Sequence, residues 1–442
     1  MRFLGGLLIL LWGATAAADG FTSAVRVETL RNGLSVLLAP DSLAPTVQVG
    51  VWYDTGLPAE KDGKSGLTYV VVRLVAADRG ERAADLRRRL VAAGGTTGFS
   101  IDPDFAGTTE AVPPEALDLA LQLEAVRMSP LRVTDSDLRG EIEAVRQEHA
   151  ARLAQSPIGP AMERLSAGAY AGHPYARPVV GLDEDVQGLT RADVEPYARE
   201  RFTPGRATLS LVGKFDPDAA LDLIRRRLGG LPAGPAASKE RPVPMPKQRG
   251  ARRDSLRAGI PVSVLLAGWR GPGSADPDSP ALEVLARLLT GGDGGALARA
   301  LARPGGPIVR IQGDLDRRRE ASLLFVAAVV PNAAAADTAE QRLIEAVEKR
   351  AREPVPEADL ERAKHQVELA QLFSAETVLG RTQALTGARM SSGDWKEWEG
   401  RLASVRRLSA GDLERVAARV LVPDRRIIVW VHGRAPSRGV FR

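Results

Sequence analysis

Two glutamates in the run EIEAVRQEHAARLAQSP, Glu141 and Glu148, stand seven positions apart. On a helix that is two turns, so both carboxylates leave one face, where a pair can share a cation or hold a metal. The bland alternative for Glu148 is a surface carboxylate paired with Arg152 four positions on, worth about 0.3 kcal/mol. The four histidines do not complete a metal set. His149 follows Glu148 directly and on a helix points about 100° away from it, so it reads as a polar-face residue. His173, in the turn-like GHPY, reads as a cap or backbone partner, and His365 and His432 have no partner at ligand spacing. There is no cysteine, which excludes thiolate nucleophiles, thiolate metal sites and disulfides. The run Gly291 to Gly295 lacks the Lys-Ser/Thr ending of a phosphate loop and follows a helical pattern, so it reads as a flexible turn.

The elements that must position these residues come in two copies. LTRADVEPYARERFTPGRATLSLVG begins at Leu189 and LSAGDLERVAARVLVPDRRIIVWVHG begins at Leu408, 219 positions later. The offset holds without a gap for Asp193 and Asp412, Ala198 and Ala417, Pro204 and Pro423, and Val212 and Val431. Each copy predicts a helix capped by Thr or Ser, a Pro turn, then a strand. Each half also opens on strand-like runs, LSVLLAP and TVQVGVWYDTG in the first and VSVLLAGWRG in the second, followed by helical segments such as 115–127 and 135–155. Between the halves lies a stretch rich in Pro, Gly and basic residues that reads as a surface strap. The expected fold class is α+β: two similar sandwich-like domains, 22–230 and 258–435, joined by a linker, 231–257. Each is a mostly antiparallel sheet with helices on one side, and the pair makes half of a clamshell.

At the start, MRFLGGLLILLWGATAAADG has a short basic head, an apolar core and a small-residue cleavage site. It reads as a signal peptide over 1–18, being shorter than the ~20 apolar residues a membrane span needs. The mature chain is therefore expected to be exported, in a bacterial periplasm, with no transmembrane anchor. The formal net charge is +5 with basic and acidic residues interspersed, which argues against nucleic acid as a partner. The short clusters Arg87 to Arg89 and Arg317 to Arg319 read as solvated surface, with a patch for an acidic partner as the alternative.

Four stretches, LRNGLSVLLAPDSLAPTVQVGVWYDTG, SPIGPAMERLSAGAYAGHPYARPVVG, LTRADVEPYARERFTPGRATLSLVGKFDP and PVPEADLERAKHQVELAQLFSAETVLGRTQAL, run in this order over nearly the whole mature chain. In sequence and spacing they resemble the pitrilysin and insulinase family of zinc metallopeptidases, in the branch of two-domain subunits that includes mitochondrial processing peptidase. The resemblance implies an H-x-x-E-H helix, in which two His at i and i+4 reach one zinc and the Glu polarises its water. The motif falls on GLTYVVVRLV, where the first His position holds Tyr69, the Glu position Val72 and the second His position Arg73. Arg73 has no lone pair to give and Val72 can accept no proton. Glu148 falls at the family's third-ligand place, with Glu141 as its acidic companion. The resemblance thus implies a relic site without catalytic residues, metal or other cofactor, in which Arg73 stands where zinc would sit and pairs with Glu148, with Glu141 as a further candidate. If that pair is buried, Glu148→Ala is expected to cost ~3–5 kcal/mol. Taken alone, Val70, Val71 and Val72 read as strand, and only the resemblance makes this segment a helix.

The family's second-domain Arg and Tyr, which hold the substrate carbonyl, fall on Ala296 and Val309, with Arg299 and Arg310 as the nearest substitutes. The expected function is that of a catalytically inactive peptidase-family subunit that pairs with an active zinc-bearing homologue, or with a second copy, around extended peptides. The alternative is a stand-alone peptide-binding scaffold, and a divergent hydrolase using another metal comes third.

Overall fold

The computed structural model describes residues 24–235 and 242–433, so the expected signal peptide lies outside the described residues. Two mixed sheets carry the chain. The first is built from β1 (Arg26–Thr29), β2 (Ser35–Pro40), β3 (Val47–Tyr53), β4 (Thr96–Ile101), β5 (Ala106–Val112) and β6 (Ala207–Gly213) in the order β1-β2-β6-β3-β5-β4. The second contains β7 (Arg252–Arg257), β8 (Ser263–Pro272), β9 (Arg310–Asp316), β10 (Ala321–Val330) and β11 (Arg426–His432) in the order β7-β11-β8-β10-β9. All pairings are antiparallel except β2 with β6 and β7 with β11, which are parallel.

The repeat holds to the residue. Helix Arg191–Arg201, the turn Pro204–Arg206 and β6 are matched by helix Ala410–Val420, the turn Pro423–Arg425 and β11, with every boundary offset by the same interval as Leu189 and Leu408. Both helices open on a capping box, Thr190 with Asp193 and Ser409 with Asp412, which satisfies two free N–H groups reciprocally.

Two expectations need correction. The strap 231–257 ends in a strand, because β7 pairs along β11 and belongs to the second sheet. RRDSLR carries no apolar alternation since it is an edge strand with mostly exposed side chains. Nor do helices cover one side only. Helix Gly159–Ala169 of the first half seats Ala161, Leu165 and Ala169 against Val264, Leu266, Ile427 and Val429 of the second sheet. Helix Val378–Ser392 of the second half seats Leu385 against Leu37, Ala39 and Val212 of the first sheet. Each half lends a helix to the other's outer face, so the inner strands are buried on both faces and read as continuous apolar runs. At Gly168 the approach is close enough that a Cβ would lie 2.9 Å from Ile427 Cγ2. Among the described residues no helix is long and apolar enough to cross a membrane.

Candidate functional site

The segment around Tyr69 is a helix, Leu67–Ala76, despite its three consecutive valines. Packing overrides propensity here, since Val70, Val71 and Val72 are fully buried in the first core. Its start is fixed by Gly66, at φ 83°, where a Cβ would fall 2.4 Å from the carbonyl of Val180. The Glu60 carboxylate caps it, accepting from the N–H of Gly66 at 3.1 Å and of Thr68 at 2.8 Å. Burial pushes Glu60 up to about 7 against these hydrogen bonds.

One turn before the end of this helix, Arg73 meets the long helix Asp135–Gln155. Its Nε donates to Glu141 Oε1 at 2.5 Å and its Nη1 donates to Glu148 Oε2. The other oxygen of Glu148 accepts from the Tyr69 hydroxyl at 2.8 Å. The guanidinium also lies over Phe99 of β4, 5.5 Å from the ring centre, and that ring packs edge-on against Tyr69. Burial works against the charge of Arg73, but its bond to Glu141 and the fields of Glu141 and Glu148 outweigh it and hold the group above its ordinary value. Burial, and then Glu148, push the Tyr69 phenol up. Glu148 turns to Arg73 and Tyr69 and forms no ion pair with Arg152 among the described residues.

The burial is distributed differently from the expectation. The Glu141 side chain is only 9% exposed, whereas that of Glu148 is 44% exposed. Glu141 is the partner whose loss strands a charge, and the ~3–5 kcal/mol cost expected of removing a buried partner does not apply to Glu148. Sequence reasoning also missed Arg79, which donates to Glu141 Oε2 at 3.2 Å and to Asp137 at 2.6 Å. Its signal was Asp137 and Glu141, four apart on the face that ends at Glu148. A second missed cluster lies just beyond the helix. Arg127 grips Asp78 through two bonds, at 2.7 and 2.9 Å, and also donates to Glu110 and Glu124, all out of contact with water. Burial, with Glu124 next, pushes Glu110 well above the usual carboxylate range.

The remaining residues are placed apart from this cluster. Val72 is buried among apolar neighbours. Ala296 opens the short helix Ala296–Leu301, and Val309 is exposed just before β9. Arg299 is spent on Asp359 at 2.8 Å. His149 bonds Glu163 at 2.7 Å, and His173 accepts from Tyr175 N–H while its Nε2 meets Glu320 at 2.7 Å. Among the described residues no three of His, Cys, Asp and Glu are grouped to hold a metal.

Residues 188–367 match the family described as Peptidase M16 inactive domain. The chain is 28% identical over 279 residues to the human cytochrome b-c1 complex subunit 1, a match over 62% of this chain and 57% of that one. It therefore spans little more than half the length of the first of its curated relatives. It is 24% identical over 405 residues to an uncharacterized zinc protease of Mycobacterium tuberculosis, over 90% of this chain and 91% of that one. A solved protease structure from Helicobacter pylori superposes with a TM-score of 0.82 at 22% identity, over 92% of this chain and 99% of the other, a likeness of fold.

Proposed function

Since the chain is a homologue of the pitrilysin (M16) peptidases, we propose that it is a non-catalytic member that pairs with an active, zinc-bearing homologue and supplies one side of a chamber for extended peptides. The observation that carries this reading is the seat of Arg73. The residues present do not fit zinc: a permanent cation stands among the donors, both oxygens of Glu148 are engaged, and an apolar buried side chain occupies the place of the general base. A metal entering here would have to expel a guanidinium held by two carboxylates. Removing ligands and base together costs many orders of magnitude in rate.

A subunit role has separate support. One relative is by name a subunit of a complex. This chain also exposes Leu369, Leu372 and Phe373, at i, i+3 and i+4 of helix Glu357–Ser374, with Phe373 67% exposed, and Leu379 follows at the start of the next helix. An apolar stripe of this kind suits burial against another chain. The test is metal content and peptide cleavage by the purified chain, alone and mixed with a co-encoded homologue that bears an intact H-x-x-E-H. The expected result is no zinc and no turnover alone, with complex formation and cleavage in the mixture, weakened by Phe373→Asp. Peptide binding without any association would favour the stand-alone scaffold. Stoichiometric zinc with turnover in the isolated chain would overturn the proposal.

A further inference from the structure

A cleft of about 380 Å³ opens between the two halves. Its walls are the turn between β4 and β5, the turn between β9 and β10, and helices Glu357–Ser374, Val378–Ser392 and Glu397–Arg407. A recess of about 190 Å³ adjoins it, sharing Asp102, Phe105, Gln383 and Gly387. Clefts of this size between domains are where small ligands bind.

The run Arg317 to Arg319, expected to be solvated surface, forms one wall of this cleft. Arg318 is fully occupied, and Arg319 is occupied at its terminal nitrogen while its Nε has no partner. Arg318 grips Asp316 through two bonds, at 2.9 and 2.7 Å, and lies over the ring of Tyr170. Arg319 donates to Asp54 and to the carbonyl of Met390, each at 2.8 Å. Arg317 differs from both. Its nearest acid is Glu283 Oε2 at 3.7 Å, and that oxygen already accepts from Arg401 Nε at 2.8 Å. Arg317 donates no hydrogen bond among the described residues, and its side chain is 40% exposed, facing the cleft. Burial of part of the group, and then the neighbouring Arg401, hold its guanidinium below its ordinary value. Around it, Ser274 Oγ, Gln371 Oε1 and Glu397 Oε2 are buried polar atoms without a partner. With Arg319 Nε, four buried polar atoms without a protein partner line this one cleft, and a ligand seated there would complete their hydrogen bonding.

We propose that this cleft binds the carboxylate end of a short peptide. Arg317 takes the carboxylate through its planar fork of donors. Glu397 Oε2 and Gln371 Oε1 accept peptide N–H groups, Ser274 bonds a carbonyl, and Phe105 and Trp398 supply apolar contact. Free phosphate carries the same anionic chemistry, but it has no carbonyl for Ser274, no peptide N–H for Glu397 and Gln371, and no apolar surface for Phe105 and Trp398. The inference does not rest on the loss of catalysis at Arg73, because the cleft is built from other residues.

The experiment titrates the full chain by calorimetry with three probes: tri-alanine as the free acid, tri-alanine amide and inorganic phosphate. The free acid is expected to bind at least about tenfold more tightly than the amide, and phosphate not at all. Arg317→Gln is expected to weaken the free acid by about the same factor while leaving the amide unchanged. Arg317→Lys keeps the charge but loses the fork, and is expected to fall between. Equal binding of acid and amide, an Arg317→Gln chain that binds the acid normally, preferential binding of phosphate, or no binding of either peptide at millimolar concentration would each overturn the proposal. The comparison of acid with amide is made on the unaltered chain, so a misfolded variant leaves it decisive.

Discussion

Helix Leu67–Ala76 and helix Ser279–Thr290 are counterparts: each follows the strand at the same place in its sheet, β3 and β8. Setting Ser65 on Ser279 aligns Val70 with Val284, Arg73 with Arg287 and Leu74 with Leu288, and both helices end together at Ala76 and Thr290. The charges around them are opposite in arrangement. In the first half Arg73 is enclosed by Glu141 and Glu148 from a neighbouring helix, with Arg79 on the far oxygen of Glu141. In the second half the counterpart of Tyr69 is Glu283, a single carboxylate beside Arg401 and Arg317. In the first cluster all four oxygens of Glu141 and Glu148 accept hydrogen bonds. The second leaves one guanidinium without a hydrogen bond. One scaffold has thus closed one of its two equivalent places and left the other open.

The comparison can be broken first at the exchanged helices. Leu385→Asp and Leu165→Asp each place a charge in a fully buried apolar contact on the opposite half. Each should cost about 4 kcal/mol or more, measured by urea unfolding, and a clear inequality would show that the exchange is not reciprocal in energy. Next come the two clusters. Glu141→Ala leaves the mostly buried Arg73 with Glu148 alone and should cost about 2–3 kcal/mol, whereas Glu148→Ala, at a half-exposed position, should cost about 1 kcal/mol or less. Equal costs would contradict the burial described above. Glu283→Leu in the second half strands Arg401 and should cost about 2–3 kcal/mol; a stabilising outcome would end the analogy between the clusters.

The smallest effect is in pH dependence. Glu60 at the start of the first helix is raised from 4.5 to about 7, so the folded chain holds a proton that the unfolded chain has released. Its contribution is full below pH 4.5 and lost as pH rises through 7. At the start of the second helix Asp278 has the opposite sign. Burial raises it, but Arg415 and Arg419 outweigh burial and hold it below 3.8. Its contribution is present above pH 3.8 and lost as pH falls through the lower folded value. Unfolding midpoints against pH should therefore lose their neutral limb in Glu60→Gln and their acid limb in Asp278→Asn.

Much of this was legible in the sequence, for physical reasons that differ by region. The repeat was legible because a capped helix, a Pro turn and a buried strand each leave a strong local pattern, and the gapless offset fixed them together. Glu141 and Glu148 were legible because helical spacing puts them on one face. The helix around Arg73 was not legible from its own residues, since three valines favour a strand until a core encloses them. Glu60 was missed because its role depends on how the loop before Gly66 returns to the helix start. Arg79 was missed because a guanidinium's partners lie far along the chain and leave no spacing to read, and Arg317, read only as part of a short basic cluster, could not be told from Arg318 and Arg319 for the same reason. The lent helices were invisible for the same reason: amphipathic pattern shows that a face is buried, not which half buries it.

The reciprocal exchange has a consequence for the order in which the molecule can be completed. β6 closes the first sheet at Gly213, yet the helix that covers its outer face does not begin until Val378. At roughly 5–20 residues per second, a chain folding as it is made would carry Leu37, Ala39 and Val212 uncovered for on the order of 10 s. The first half is thus complete in its own sequence long before it is complete as a surface, and a chaperone that shields apolar sheet faces has a defined interval in which to act.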